Sequence, residues 1–283
     1  MRIDQLLAAG ATRSFEFFPP KNDAESAILA DTIRDLRSLD PSFVSVTYRG
    51  GRESRQRTFD LVHSIETEGH ITAMAHLICV GHGRDEMRDI LQNYVDGGVE
   101  NIMALGGDIP VDPALQGGEF THALELVELA REVGSFSIGV AAHPLGHPRS
   151  DDLVSDRKHL ATKLREADFA VTQFFFDFEE WRRLVNELGS LGVTKPVLPG
   201  IMPVTTLSGV TRMADMGAAV PIWLVERLER AHEQGGSPAV RTEGIRAATE
   251  LCRELLDGGA PGLHFYTLNR STATQEIHSQ LFG

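Results

Sequence analysis

Cysteine is scarce in this sequence: its 283 residues hold only two, Cys79 and Cys252. Two isolated thiols cannot build a disulfide framework, and neither stands in the CxxC spacing that holds structural zinc, so both are expected to be small buried hydrophobes. Positive charge is also in deficit. Lys and Arg number 27 against 40 Asp and Glu, a formal net charge of −13, and this disfavours nucleic acid as a partner because phosphate backbones are bound by net basic faces. No apolar run approaches the roughly 18 residues that span a bilayer. The opening segment MRIDQLLAAGATRSFEF carries acid early and lacks the basic start and long apolar stretch of a secretion signal, so a cytoplasmic location is expected. A GxGxxG turn after the first β-like run is missing too. Phe17-Phe18-Pro19-Pro20 stands there instead, and it cannot wrap a pyrophosphate with backbone N–H groups.

What is present is a large apolar fraction, 42%, arranged in two alternating periods. Eight short β-rich runs fall at about 12–18, 42–48, 71–79, 101–105, 136–142, 169–176, 196–202 and 262–268. Between them, AILADTIRDLRSL, TFDLVHSIETEG, DEMRDILQNYVDGG, THALELVELAREVG and DRKHLATKLREA place apolar residues three and four apart, as helices do. Several of these runs end at glycine, namely Gly69, Gly97 and Gly134, where a left-handed C-cap is expected. Residues 207–257 add extra helix broken by Gly235-Gly236-Ser237-Pro238, read as elaboration of one domain covering 1–283. Repeated βα units of this number predict a closed (β/α)₈ TIM barrel, with an open doubly wound sheet as the alternative. The missing glycine-rich turn favours the barrel.

In such a barrel, chemistry sits at the C-terminal ends of the strands. Polar residues gather at those ends: Glu16, Thr47, His76, Gly106-Gly107-Asp108, His143, Gln173 and Asn269-Arg270. Glu16 lies between Phe15 and Phe17, where a carboxylate is expected to lose hydration and keep its proton, as a general acid must. The plainer alternative is an interior glutamate paired with a buried cation. Asp108 reads either as a site carboxylate or as a turn cap. Gln173 is an amide in a very apolar run, so its donor and acceptor either match the edge of a heterocycle or make a structural hydrogen bond. His76 and His143 have no third ligand at a recognisable spacing, so no metal is expected. A cluster of Arg49, Arg52, Arg55 and Arg57 follows the second run and reads as a phosphate-reaching loop or a solvated one.

The motifs then fall into a familiar series. Ser14-Phe15-Glu16-Phe17-Phe18-Pro19-Pro20, Phe43 to Tyr48, His76-Leu77 and Ala104 to Asp108 are followed by Val140 to Pro144 with His147-Pro148. Thr172 to Asp177, Pro199 to Pro203 and His264 to Arg270 complete the order. Over nearly the whole chain this resembles the bacterial methylenetetrahydrofolate reductases. The resemblance implies a TIM barrel with FAD at its strand ends, hydride from NADH or NADPH, and methylenetetrahydrofolate as the substrate that becomes 5-methyltetrahydrofolate. It makes Glu16 the acid that protonates folate N10, places Asp108 near the pterin, and has Gln173 hydrogen-bond the pterin. Glu226 and Arg270 would also meet substrate. Thr47, His76, Gly107, His143, His147, Asp156 and Lys163 would line the cofactor, the last two once a one-residue deletion is set near Arg165-Glu166.

Departures from the family pattern fall on the flavin side. Gly106-Gly107-Asp108 replaces Arg-Gly-Asp, removing a guanidinium whose charge-assisted contact with a pyrophosphate contributes roughly 1.5–3 kcal/mol. His143 replaces a tyrosine, and Glu226 a common glutamine. Two routes follow: a weakly bound FAD relays the hydride, or the nicotinamide delivers it directly to the folate. Other classes are a catalytically silent folate- or nucleotide-binding paralogue and another flavin-dependent barrel oxidoreductase. NADH and NADPH are not told apart by any assignable ribose-reading residue, and the outer helices leave a homo-oligomer open.

Overall fold

The computed structural model describes residues 1–48, 52–108 and 118–283, the side chains of 52–54 excepted. Eight strands, β1 (Thr12–Phe17), β2 (Phe43–Val46), β3 (Ala73–Ile78), β4 (Asn101–Leu105), β5 (Ser137–Ala142), β6 (Phe169–Phe174), β7 (Val197–Ile201) and β8 (Gly262–Tyr266), pair in parallel and in sequential order. β8 returns to pair with β1, so the barrel is closed and the open sheet is excluded. Each strand is buried on both faces, which is why the runs read as nearly continuous apolar stretches rather than as alternating ones. Outward side chains such as Phe15, Phe17, Val44, Leu77 and Phe265 join one core beneath the helices. Both cysteines are buried, as expected.

The helical layer comprises α1 (Ile3–Ala9), α2 (Asp23–Arg37), α3 (Arg52–Thr67), α4 (Arg84–Asp96), α5 (Ala123–Val133), α6 (Leu153–Glu166), α7 (Phe178–Ser190), α8 (Leu207–Asp215), α9 (Ile222–Asp257) and α10 (Thr272–Phe282). α1, α7 and α10 lie outside the five helical runs named from the sequence. The break expected at Gly235-Gly236 is present: both residues leave helical geometry, and Gly236 has φ +64°. Among the described residues no helix is long and apolar enough to cross a membrane.

The left-handed caps expected at Gly69, Gly97 and Gly134 are not formed. Gly97 has φ −81° and Gly134 φ −160°, while the positive φ falls on His70 at 55° and on Gly98 at 76°. Close approach explains the glycines instead. A Cβ at Gly97 would lie 2.5 Å from the Phe59 ring, and one at Gly69 would lie 2.5 Å from the Ile65 carbonyl oxygen.

Two layers fill the barrel. The lower is apolar, with Phe43, Met74, Met103, Phe169, Val171 and Leu198 packed on Ile3 and Leu7 of α1, which closes the floor. Asn101 fastens that plug: its Oδ1 accepts from Ile3 N at 2.8 Å, and its Nδ2 donates to the Met1 carbonyl at 3.1 Å and the Ala73 carbonyl at 3.2 Å. A floor built this tightly leaves the functional groups to the opposite end. Phe169 fills the lower layer so closely that a Cβ at Gly139 would stand 2.7 Å from its ring. Phe169→Ala should therefore lose about 3–5 kcal/mol of stability, measured from the urea midpoint; a loss below 1 kcal/mol would mean that the layer is not close-packed.

Candidate active site

Above the apolar layer the barrel turns polar around one carboxylate. The closing register sets Ser14 opposite His264 and Glu16 opposite Tyr266, and on the other side Glu16 opposite Ser45. Residues two apart on a strand share a face, so all of these point inward. Glu16 is 8% exposed, and its Oε2 lies 3.5 Å from His76 Nε2 and 3.6 Å from His264 Nε2. His264 is fully buried, its Nδ1 2.8 Å from Ser14 Oγ. Burial holds the His76 imidazole below its ordinary range, against the opposing pull of Glu16, so the ring is neutral at pH 7.

The surroundings of Glu16 are thus not the aromatic ones expected from its chain neighbours. Phe15 and Phe17 face the helices, because adjacent strand residues point to opposite sides. The carboxylate meets two imidazoles and a phenol. That phenol, Tyr266, donates to the Thr172 carbonyl at 2.7 Å, and burial followed by the Glu16 charge holds it well above its ordinary range and neutral. Gly200 makes room for it: a Cβ there would lie 2.5 Å from the Tyr266 ring and 2.3 Å from the Thr172 oxygen.

Around this centre the mouth carries the other expected residues. Between Val171 and Phe174, β6 holds one residue more than β7 does between Leu198 and Gly200, a β-bulge that carries Gln173. Gln173 Nε2 donates to the Met216 carbonyl at 3.0 Å, and its Oε1 accepts from Phe174 N at 3.0 Å. Gly107 has φ +88°, and a Cβ there would meet Ile78 Cγ2 at 2.2 Å, so only glycine can make the turn that sets Asp108 exposed at the rim. Thr47 Oγ1 and His76 Nε2 are buried and have no hydrogen-bond partner.

The β5–α6 side is built differently. His143 and His147 meet edge to face at 4.7 Å. Asp156, at the start of α6, accepts from His147 N at 2.9 Å, Ser150 Oγ at 3.1 Å and Arg157 Nη1 at 2.7 Å. Arg157, 3% exposed, also binds the His143 carbonyl and Glu187. Lys163 Nζ donates to the Ala141 carbonyl at 3.2 Å, and burial lowers its proton affinity. From the neighbouring loop, Arg149 Nη2 reaches the Gly107 carbonyl at 3.1 Å. Of the arginine-rich segment, Arg49 and the Arg52 side chain lie outside the described residues; Arg55 sits 3.6 Å from Glu86.

Comparison with known proteins decides the family. Residues 2–282 match methylenetetrahydrofolate reductase. The chain is 34% identical to the 5,10-methylenetetrahydrofolate reductase of Escherichia coli K12 over 266 residues, covering 93% of this chain and 88% of that one. It belongs to the methylenetetrahydrofolate reductase family. Methylenetetrahydrofolate reductase (NADH) 1 of Arabidopsis thaliana is also 34% identical, over 95% of this chain and 48% of its own length. Among solved structures, an uncharacterised Clostridium thermocellum protein that binds two copies of 5-methyl-5,6,7,8-tetrahydrofolic acid shares the fold. Its TM-score is 0.70 at 13% identity, with 98% of this chain and 96% of that one covered.

The fold brings the Glu16 carboxyl group to 3.5 Å from His76 Nε2, without a hydrogen bond, and sets Thr47, Asp108, Gln173 and His143 at strand ends, with His147 in the loop after β5. Glu226, in the first turns of α9, and Arg270, after β8, are exposed charges. Ser14, Ser45, His264 and Tyr266 were missed as site residues. The signal was available for two of them, since Ser14 shares a strand face with Glu16 and Ser45 stands two residues before Thr47; the β8 partners needed the closing register.

Burial, and then His147, pull the His143 imidazole down from 6.5 to about 4. The unfolded chain therefore binds a proton that the folded one refuses, so the contribution of His143 to stability is complete above 6.5 and is lost as pH drops through that window toward 4. In His143→Tyr the fall should be shallower, seen by comparing urea midpoints at both ends of the window; an equally steep fall would assign the loss to other groups.

Proposed function

We propose that this chain reduces 5,10-methylenetetrahydrofolate to 5-methyltetrahydrofolate with a nicotinamide hydride, and that Glu16 is the general acid. The observation that carries this is the Glu16 carboxyl group, buried in the barrel mouth beside two imidazoles, in a chain of this family. Glu16 gives its proton to folate N10 as the bond from N10 to the bridging carbon breaks. The bridge is left as a cationic iminium on N5. Hydride from NADH or NADPH adds to that carbon and makes the methyl group, and Glu16 is left ionised until it regains a proton.

The other residues bind and orient. Asp108 offers a negative charge at the rim where the iminium cation develops. Gln173 exchanges its bond to the Met216 carbonyl for the pterin edge, and the exposed Glu226 and Arg270 meet the remainder of the folate. Thr47 and His76 present the unpartnered buried atoms that the flat ring of a cofactor would satisfy.

The residues fit a nicotinamide in that space better than a resident FAD. Asp156 is engaged by Arg157, Ser150 and the His147 amide, Lys163 is bonded to the Ala141 carbonyl, and Gly106 supplies no guanidinium. The dinucleotide half of FAD therefore lacks the guanidinium that the family pattern assigns to it and meets an Asp156 already engaged, and the hydride passes directly from nicotinamide to folate. We place the activity in one catalytic domain in the cytoplasm.

Glu16→Gln should lower turnover of methylenetetrahydrofolate by about 10²–10⁴-fold while NADH binding, followed by fluorescence titration, is unchanged; near-normal turnover would put the acid elsewhere. The protein as purified should show no visible flavin band, and added FAD should leave anaerobic NADH oxidation unchanged. A stoichiometric flavin band would refute direct transfer.

A further inference from the structure

On the rim of the mouth, where the ends of β4 and β5 meet, stands a guanidinium that pairs with no carboxylate of the described residues. Arg149, exposed in the loop between β5 and α6, reaches across to the end of β4, and its Nη2 donates to the Gly107 carbonyl at 3.1 Å. That is the side chain's one hydrogen bond among the described residues, so most of a five-donor fork is left unspent. Other arginines of this chain close on carboxylates: Arg157 on Asp156 and Glu187, Arg227 on Glu243 and Glu250, Arg241 on Glu276. The backbone N–H of Arg149 donates to His147 Nδ1 at 3.1 Å. Burial, and then the Arg149 charge, hold that imidazole below its ordinary range, so the neutral ring keeps its proton on Nε2 and offers a second donor from the same loop.

The fork is uncovered because residue 106 is glycine. A Cβ there would stand 3.9 Å from Arg149 Nη2 and 3.7 Å from Ala123 N, which are ordinary contacts, and the φ of Gly106 is not positive. Neither packing nor backbone demands a glycine at that position. The β3–β4 ladder also runs on past the strands, with Cys79 N donating to the Leu105 carbonyl at 3.1 Å and Val80 N to the Gly106 carbonyl at 3.0 Å. His76 pairs with Met103, three residues before Gly106, so Gly106 lies ~10 Å further along the sheet and one strand across from His76. A coenzyme whose flat ring satisfies Thr47 and His76 would bring the phosphates next to its first ribose to this place. Of the nearby carboxylates, Asp156 is held by Arg157, and Asp108 makes no ion pair with Arg149.

We propose that Arg149 is the phosphate clamp of the nicotinamide coenzyme: its free edge takes the pyrophosphate oxygens of NADH or NADPH in a forked, charge-assisted contact, while the Gly107 carbonyl holds the guanidinium in place. The inference rests on the reading that a nicotinamide delivers its hydride to folate in this mouth, and it adds the group that holds the coenzyme's charged end. A staple that merely ties the β5–α6 loop to β4 is the competing explanation. Its loss would lower turnover equally with every hydride donor.

The test is steady-state turnover of wild type, Arg149→Ala and Arg149→Lys with NADH, NADPH and dihydronicotinamide riboside, which carries the same ring and no phosphate. Arg149→Ala should raise KM for NADH and for NADPH about tenfold, with kcat within about twofold of wild type and KM for methylenetetrahydrofolate unchanged. With the riboside, wild type and variant should share one kcat/KM. Arg149→Lys, which keeps the charge but not the fork, should recover part of the loss. Inorganic pyrophosphate gives a second reading that needs no weak donor: it should inhibit the wild type competitively against NADH, and Arg149→Ala about tenfold less. An equal loss with the riboside, a loss confined to NADPH, a higher KM for folate alone or an unchanged KM for NADH overturns the inference; flavin-free turnover of NADH by the wild type then leaves the proposed reaction standing. A wild type that does not oxidise NADH without flavin overturns both.

Discussion

Everything at the mouth of this barrel depends on the pairing of β8 with β1. That register, Ser14 to His264 and Glu16 to Tyr266, is what closes the sheet, and it also assembles the groups around the carboxylate. A slip of one residue would turn each of these side chains to the helical layer, because strand side chains alternate with period two. Closure and chemistry therefore share one constraint. The outward neighbours Phe15 and Phe265, with ring centroids 6.0 Å apart, hold the register from the apolar side.

The barrel divides its labour along its axis. An apolar layer, sealed by α1 and fastened by Asn101, fixes strand positions at the floor and asks nothing of the chemistry. The polar layer above can then hold imidazoles, hydroxyls and a carboxylate at distances that need rigid strands. Polar groups at this depth are tolerated because most of them satisfy one another; the exceptions, Thr47 Oγ1 and His76 Nε2, sit at the mouth where a ligand would complete them. The β5–α6 side has its own buried network. The Asp156–Arg157 pair, linked to Glu187 and to the backbone near His143, braces a loop. Removing one member of such a buried pair leaves the other charge uncompensated, which makes the brace costly to dismantle.

The amino-acid sequence alone determined the number and order of the strands, the closed barrel, the family, and the residue types at the strand ends. These are local properties: a period of apolar residues, a break at Gly235-Gly236, and short motifs in a fixed order. It misjudged what surrounds Glu16, because chain neighbours are not spatial neighbours in a strand, and it misread Gly69, Gly97 and Gly134 as left-handed caps where packing against Ile65, Phe59 and Val95 is what excludes a side chain. Only the tertiary structure decided that His264 and Ser14 stand behind Glu16, that a bulge carries Gln173, and that Asp156 and Lys163 are engaged inside the protein. The first joins residues 250 positions apart and the bulge is defined only against β7; such distances and orientations are fixed by the way eight strands close, which no local pattern encodes.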